Sequence, residues 1–525
     1  MSFLFPGGPF RATTRRSFLT AAVGSLAAAS VWANRAEGAL RRRAKFSDNP
    51  FSLGVASGDP TPSGVVLWTR LAPKPLEGGG MPNEAVEVGW EVAEDESFSK
   101  IVQKGTTAAT PDWAHSVHVE IDGLEPQRGY FYRFMAGDEV SPVGRTKTTP
   151  AADAKVDALK FAFASCQHFE EGLYTNYEHM LKEDVDLVFH LGDYIYEYKG
   201  RDKYPRKHVG NELDTLDDYR NRHAQYKTDP HLAEMHRQAP WIVTWDDHEF
   251  DNNCAGAISE QLDVKTEPYL ARRARAYQAY YENMPLRKSA IPVGPDMKLY
   301  RKISYGPLAD FYVLDTRQYR SDQPCGDGNK PQCPAALDPN TSVMGAEQEK
   351  WLNETMDQSH AQWNVLAQQI MMARVDRKAG EDQAYSMDQW PGYETNRQRV
   401  LQRFHERNVS NPVVIAGDIH SNWANDLIAD FGDLNGAIVA SEFVGTSISS
   451  GGNGVASPTT LPALLSENPF VKFHNAERGY VVCRVTPEQW RTDYRTVQFV
   501  DKPGAPLQTR ASFVVENGRK GLQQA

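Results

Sequence analysis

Asp186-Leu187-Val188-Phe189-His190-Leu191 runs without a break into Gly192-Asp193-Tyr194-Ile195-Tyr196-Glu197. A short apolar run that stops at Gly-Asp reads as a buried strand ending in a tight turn. The same pattern recurs three times. Lys160-Phe161-Ala162-Phe163-Ala164 leads into Ser165-Cys166-Gln167-His168. Trp241-Ile242-Val243-Thr244-Trp245 leads into Asp246-Asp247-His248-Glu249-Phe250-Asp251-Asn252-Asn253. Val413-Val414-Ile415-Ala416 leads into Gly417-Asp418-Ile419-His420-Ser421-Asn422. Helical stretches, expected over 170–182 and 268–283, alternate with these runs, so the region from about 158 to 510 reads as α/β layers. In such sheets, sites gather at the carboxyl ends of strands, where these four polar clusters lie.

Upstream, residues 46–150 lack a helical period. Gly64–Thr69, Val86–Val92, His115–Ile121 and Gly129–Phe134 read as strands between turns, which predicts an N-terminal β-sandwich of immunoglobulin or fibronectin type. Residues 147–157 read as a linker, and 199–214 and 321–341 as long functional loops. In residues 1–40, Arg15-Arg16-Ser17-Phe18-Leu19 precedes a short alanine-rich apolar run, the pattern of a twin-arginine export signal. That run is too short for a stable membrane span. A periplasmic or extracellular destination follows, with the twin-arginine export machinery as a partner. Cys325 and Cys333 bracket a polar, turn-rich stretch and are expected to bridge. Cys483 sits in an alternating strand pattern as a small buried residue, and Cys254 has no evident role.

The full chain is 525 residues with 57 Lys+Arg and 68 Asp+Glu, a formal charge of −11, and a mean hydropathy of −0.56. This is a soluble, multidomain composition. It lacks the basic face of a nucleic-acid binder, but an anionic substrate remains compatible because bound cations reverse a local field. Carboxylate, imidazole, amide, phenol and thiol together form a mixed, oxygen-rich donor set, unlike a closed structural zinc site. Two cations bridged by a carboxylate suit in-line displacement at phosphorus.

Gly192-Asp193 with Tyr196, Asp246-Asp247-His248-Glu249 and Gly417-Asp418-Ile419-His420 resemble the calcineurin-like metallophosphoesterases. With Ser165-Cys166-Gln167, Asn252-Asn253, Leu314-Asp315-Thr316-Arg317-Gln318-Tyr319-Arg320 and Phe51–Pro60, they resemble the alkaline phosphatase D branch. Cys166 at the opening strand end and Asp418 in place of a histidine depart from the wider superfamily in the manner of this branch. The resemblance implies a four-layer α/β sandwich behind the N-terminal β-domain, and a site containing Fe³⁺ with Ca²⁺. Cys166, Asp193 and Tyr196 would hold the iron, with Asp193 bridging. Asp418, His420 and one of Asn252 or Asn253 would complete the shell, with Asp247 as a further candidate.

His248 is the candidate for stabilising or protonating the leaving group. Arg317 would either clamp phosphate or support the loop by an ion pair. The implied reaction is attack by a metal-bound hydroxide on a small phosphate ester. The substrate class stays open between monoesters, diesters and phospholipase D-type substrates. A non-catalytic binding protein with a degenerate metal domain is the remaining alternative, and the intact donor clusters count against it.

Overall fold

The computed structural model describes residues 44–261 and 263–525; the export signal expected over residues 1–40 therefore lies outside the described residues. The N-terminal strands are β1 Val55–Thr61, β2 Gly64–Arg70, β3 Val86–Ala93, β4 Ile101–Ala109, β5 Ser116–Ile121, β6 Gly129–Ala136, β7 Glu139–Val140 and β8 Gly144–Lys147. One sheet joins β3, β4, β6, β7 and β8. A second layer joins β1, β2 and β5 in antiparallel pairs. Alternation along β6 buries Tyr130, Tyr132 and Phe134, and these rings meet Val55, Leu67, Val117 and Val119 from the second layer in one core. The second layer is not self-contained. β1 also pairs in parallel with a strand of the large domain, through Ser57 opposite Pro240 and Gly58 opposite Trp241.

The large domain continues with β9 Leu159–Ala164, β10 Leu187–Leu191, β11 Pro240–Thr244, β12 Arg301–Tyr305, β13 Ala309–Val313, β14 Asn329–Lys330, β15 Trp363–Ala367, β16 Tyr385–Ser386, β17 Pro412–Ala416, β18 Asn422–Ile428 and β19 Ile438–Val444. It ends with β20 Gly454–Val455, β21 Val471–Val485, β22 Gln489–Val497, β23 Leu507–Glu516 and β24 Gln523–Gln524. β9, β10 and β11 run parallel and in register, while β13, β15, β17 and β19 form a second parallel run. Strand β21 connects the two sheets. Its first half pairs with β18 and its second with β9.

Between the sheets lies a core of Phe161, Phe163, Phe189 and Ile242 against Phe311, Val365, Ile415 and Phe443. On the outer face of the first sheet, Ala162, Val188, Trp241 and Val243 pack with helices α1 Thr175–Met180, α2 Leu216–Lys227, α3 Pro230–Gln238 and α4 Thr266–Asn283. On the outer face of the second, Leu366 and Val414 pack with α5 Gly345–Asp357 and α6 Glu394–Glu406. Both faces of each parallel run are thus covered, which is why those strands read as unbroken apolar runs.

The helix expected over 170–182 is confined to Thr175–Met180, followed by a 3₁₀ turn at Leu181–Glu183. Glu170 is drawn out of helical geometry because its buried carboxylate accepts from the backbone N–H groups of Arg201 and His208. The last helix, α7 Leu461–Glu467, lies in the loop region after β20. Cys325 and Cys333 are bridged, while Cys166, Cys254 and Cys483 are buried free thiols. No helix among the described residues is long and apolar enough to cross a membrane.

Candidate metal centre

The parallel register of β9, β10 and β11 places their carboxyl ends side by side, and β17 brings a fourth from the other sheet. Two glycines allow the close approach. A Cβ on Gly192, at φ +110°, would stand 2.4 Å from Asp246 Cβ, and one on Gly417 would stand 2.2 Å from Ser165 Oγ. Cys166, Asp193, Asn253, Asp418 and His420 all occupy left-handed φ. Such conformations are uncommon for residues with a side chain and collect where the surrounding structure over-determines them. Here the turn backbones hold one another: Cys166 N–H donates to Gly192 O and Gln167 N–H to Asp193 O, both at 3.1 Å.

The donor atoms of Cys166, Asp193 and His420 lie within 4.8 Å of one another, as do those of Asp193, Asp247 and His248, and those of Asp246, Asp247 and Asp418. Tyr196 joins the first group: its hydroxyl donates to Asp193 Oδ2 at 2.8 Å and lies 3.4 Å from His420 Nε2. Rings sandwich that phenol, with His248 at 4.1 Å and His168 at 4.3 Å between centroids. The two asparagines differ. Asn252 Oδ1 accepts from Tyr198 Oη at 3.2 Å. Asn253 donates its backbone N–H to Asp247 Oδ2 at 2.7 Å, and its amide nitrogen faces Glu260 and Asp327.

Arg317 is buried and fully engaged. Its Nε pairs with Asp246, Nη1 and Nη2 grip Asp388 at 2.9 and 3.1 Å, and Nη2 reaches Asp418 at 3.5 Å. The guanidinium's hydrogen-bonding edges are thus occupied by carboxylates.

Several residues that sequence reasoning passed over complete the frame. Glu249 accepts from the backbone N–H groups of Asp193 at 3.1 Å, Tyr194, and Asp246 at 2.8 Å, so one carboxylate ties two strand-end turns together. Its place in the Asp-Asp-His-Glu run was a usable signal. Ser450 Oγ lies 2.7 Å from Cys166 O and 2.8 Å from Tyr196 Oη, so its one proton can be donated to either. Asp388, and Gln389, which donates to Asp418, come from a connection with no strand-end signature.

The electrostatics call for cations. Five carboxylates, from Asp193, Asp246, Asp247, Asp388 and Asp418, gather with a thiol and a phenol around one guanidinium and two imidazoles, those of His248 and His420. Burial, with the neighbouring Asp193 and Asp418, pushes the Cys166 thiol well above its ordinary range. Burial, with Asp193 and Cys166, does the same to Tyr196. Asp193 and Asp246 are likewise pushed up by burial, whereas Asp247 is held low because Arg317 and His248 outweigh its burial. His420 is lowered to about 3 by burial and Arg478, leaving a neutral imidazole.

Asp193 Oδ1, Asp246 Oδ2 and Asp247 Oδ1 are buried with no hydrogen-bond partner among the described residues. Orphaned buried oxygens are costly, and all three residues belong to the overlapping donor groups at the strand ends. The residues therefore fit a multivalent cation, which satisfies the oxygens and favours the deprotonated thiol and phenol.

Comparison with known proteins identifies the family. The family model for the PhoD-like phosphatase matches residues 161–494, and that for the PhoD-like phosphatase N-terminal domain matches residues 35–150. Alkaline phosphatase D of Bacillus subtilis (strain 168) is 55% identical over 485 residues, covering 91% of this chain and 83% of that protein. A solved structure described as the structure of PhoD superposes with a TM-score of 0.90 at 55% identity, covering 92% of this chain and 93% of that one. The strand-end clusters lie inside a match that spans both halves of the molecule, and the chain belongs to the PhoD-like phosphatase family.

Proposed function

We propose that this metal-dependent phosphoric ester hydrolase works at the strand-end cluster, with Fe³⁺ held by Cys166, Asp193 and Tyr196 and Ca²⁺ by Asp418, His420 and Asn253. Asp193 is the shared ligand and Asp247 the additional carboxylate. The observation that carries this reading is the trio of buried carboxylate oxygens from Asp193, Asp246 and Asp247 that have no hydrogen-bond partner among the described residues, in overlapping groups of donors that also include the Cys166 thiol. The choice of Asn253 over Asn252 rests on Asn252 Oδ1 being engaged by Tyr198. Once bound, the cations supply Lewis-acid activation of water and neutralise charge on the phosphoryl oxygens.

The chain's own residues do the rest. His248 Nδ1 lies 2.8 Å from Glu197 Oε2. Burial opposes its charge, but Glu197, Asp247 and Asp193 outweigh burial and hold the imidazolium well above its ordinary range. The Glu197 contact orients the ring, and a protonated His248 would be suited to deliver a proton to the departing oxygen. Arg317 and Asp388 position Asp246 and Asp418, while Glu249 and Ser450 fix the turns that carry Asp193, Cys166 and Tyr196.

The N-terminal layers, over 46–150, form an immunoglobulin- or fibronectin-type sandwich that precedes the catalytic domain, 158–510, itself a four-layer α/β sandwich. Residues 1–40 direct twin-arginine export to the periplasm or beyond. The Cys325–Cys333 bridge supports an oxidising destination. Parallel assays with a phosphomonoester, a bis-ester and phosphatidylcholine test the reading. Metal-dependent phosphate or alcohol release from at least one supports it, and no turnover of any by metal-replete protein overturns it.

A further inference from the structure

The loop closed by the Cys325–Cys333 bridge stands against the candidate metal centre. The bridge spans a sequence separation of 8 residues. Within it Cys325, Gly326, Asp327 and Gly328 all adopt positive φ, at 60°, 79°, 59° and 70°. Two of these four are not glycine, and such backbone persists only where the surrounding structure over-determines it. Three constraints do so here. The bridge closes the loop, β14 pairs with β16 through Asn329 opposite Ser386 and Lys330 opposite Tyr385, and Met387 N–H donates to Gly328 O at 2.9 Å.

What the loop delivers is the side chain of Asp327, half-buried between exposed Gly326 and Gly328. Its Oδ2 accepts from Asn253 Nδ2 at 3.2 Å, and Glu260 Oε1 accepts from the same nitrogen at 3.2 Å. An ionised carboxylate only accepts, so two carboxylates decide which edge of the Asn253 amide carries the nitrogen. Oδ1 is then the uncommitted atom, with no donor to it among the described residues.

Asn253 is joined to the strand-end cluster directly. Its backbone N–H donates to Asp247 Oδ2 at 2.7 Å, and Asp247 shares a donor group with Asp193 and His248. The segment leading into the bridge grips the same residue by its backbone. Gln323 Nε2 donates to Asn253 O and to Asp388 Oδ1, both at 2.8 Å. Side chain and main chain of Asn253 are therefore both held from the stretch that the disulfide closes.

We propose that Asp327, carried by the disulfide-closed loop, is a positioning residue for Asn253: it holds the amide nitrogen and so leaves Oδ1 to the calcium. This rests on the ligand set proposed above and adds a support from outside it. Partners that orient a metal ligand are worth about 10–100-fold in metal affinity. The test is calorimetric titration of calcium into the chelator-treated full chain, for wild type, D327A, D327N, C325S/C333S, N253A and N253A/D327A.

D327A should raise the calcium Kd about tenfold, and D327N, whose amide oxygen still accepts from Asn253, should recover most of that loss. C325S/C333S, which frees the loop, should weaken binding by a similar factor. Once Asn253 is alanine, D327A should have no further effect, because the two act as one unit. Wild-type affinity in D327A or in C325S/C333S overturns this proposal alone. So does D327N as weak as D327A, which would make Asp327 a source of charge, or an equal effect of D327A with and without Asn253. Wild-type chain that takes up no calcium, or N253A with wild-type affinity, overturns the ligand set and this inference with it.

Discussion

At the scale of single residues, chemistry-bearing side chains stand on backbone that most residues avoid. Asp193, Cys166, Asp418 and His420 adopt left-handed φ because neighbouring turns hold them there, and glycine, the easy occupant, has no donor to offer. These residues were legible in the sequence because each follows an apolar run directly. Asp388, Gln389 and Ser450 were not, since they enter from connections whose only signal is three-dimensional.

Two substitutions separate the roles. Asn253→Ala should lower bound calcium and activity at least tenfold, while Asn252→Ala, at a residue whose amide oxygen already accepts from Tyr198, should change either by less than threefold. Metal analysis with phosphate-release assays reads this, and reversed effects would reassign the ligand. Tyr196→Phe should abolish a visible charge-transfer absorption from tyrosinate on Fe³⁺. Persistence of that band unchanged would remove Tyr196 from the iron shell.

At the scale of elements, the strands were readable because burial on both faces makes them continuously apolar, and the period-two sorting of Phe161 and Phe163 from Ala162 and Ala164 confirms which face meets which core. The helix expected over 170–182 was overestimated because side-chain capture of loop backbone by Glu170 competes with local propensity. The pairing of β1 with β11 was hidden as well, because a parallel contact between distant segments leaves no local trace. The turns after β10 and β17 carry the sharpest element-scale prediction. Gly192→Ala would place a Cβ 2.4 Å from Asp246 Cβ at φ +110°. Strain and overpacking together should cost roughly 3 kcal/mol, seen as a lower unfolding midpoint, with activity lost. A variant of wild-type stability and turnover would show that the turn tolerates rearrangement.

At the scale of the whole molecule, the N-terminal layers and the catalytic domain share more than a linker. Buried Lys227 on α2 lies 4.5 Å from the centre of the Trp68 ring of β2 and 3.2 Å from Tyr194 Oη of the large domain. Burial lowers its amine to about 7. Between about pH 7 and the unfolded value near 10.5 the unfolded chain binds the extra proton, so this group makes stability rise with pH across that window. Below about 7 both states are charged and the cost is fully present. Lys227→Met should therefore stabilise the protein most at and below pH 7 and progressively less toward pH 10.5, as read by denaturant unfolding. A pH-independent difference would contradict the shift.

The central claim is that four strand ends from two sheets form one cation-binding pocket around Asp193. Elemental analysis of purified Asp193→Ala, alongside its phosphate-release activity, tests this most directly. The account predicts that iron and calcium fall together to a small fraction of wild type while activity drops at least a hundredfold and the protein stays folded. Folded Asp193→Ala with full metal content and substantial turnover would contradict it.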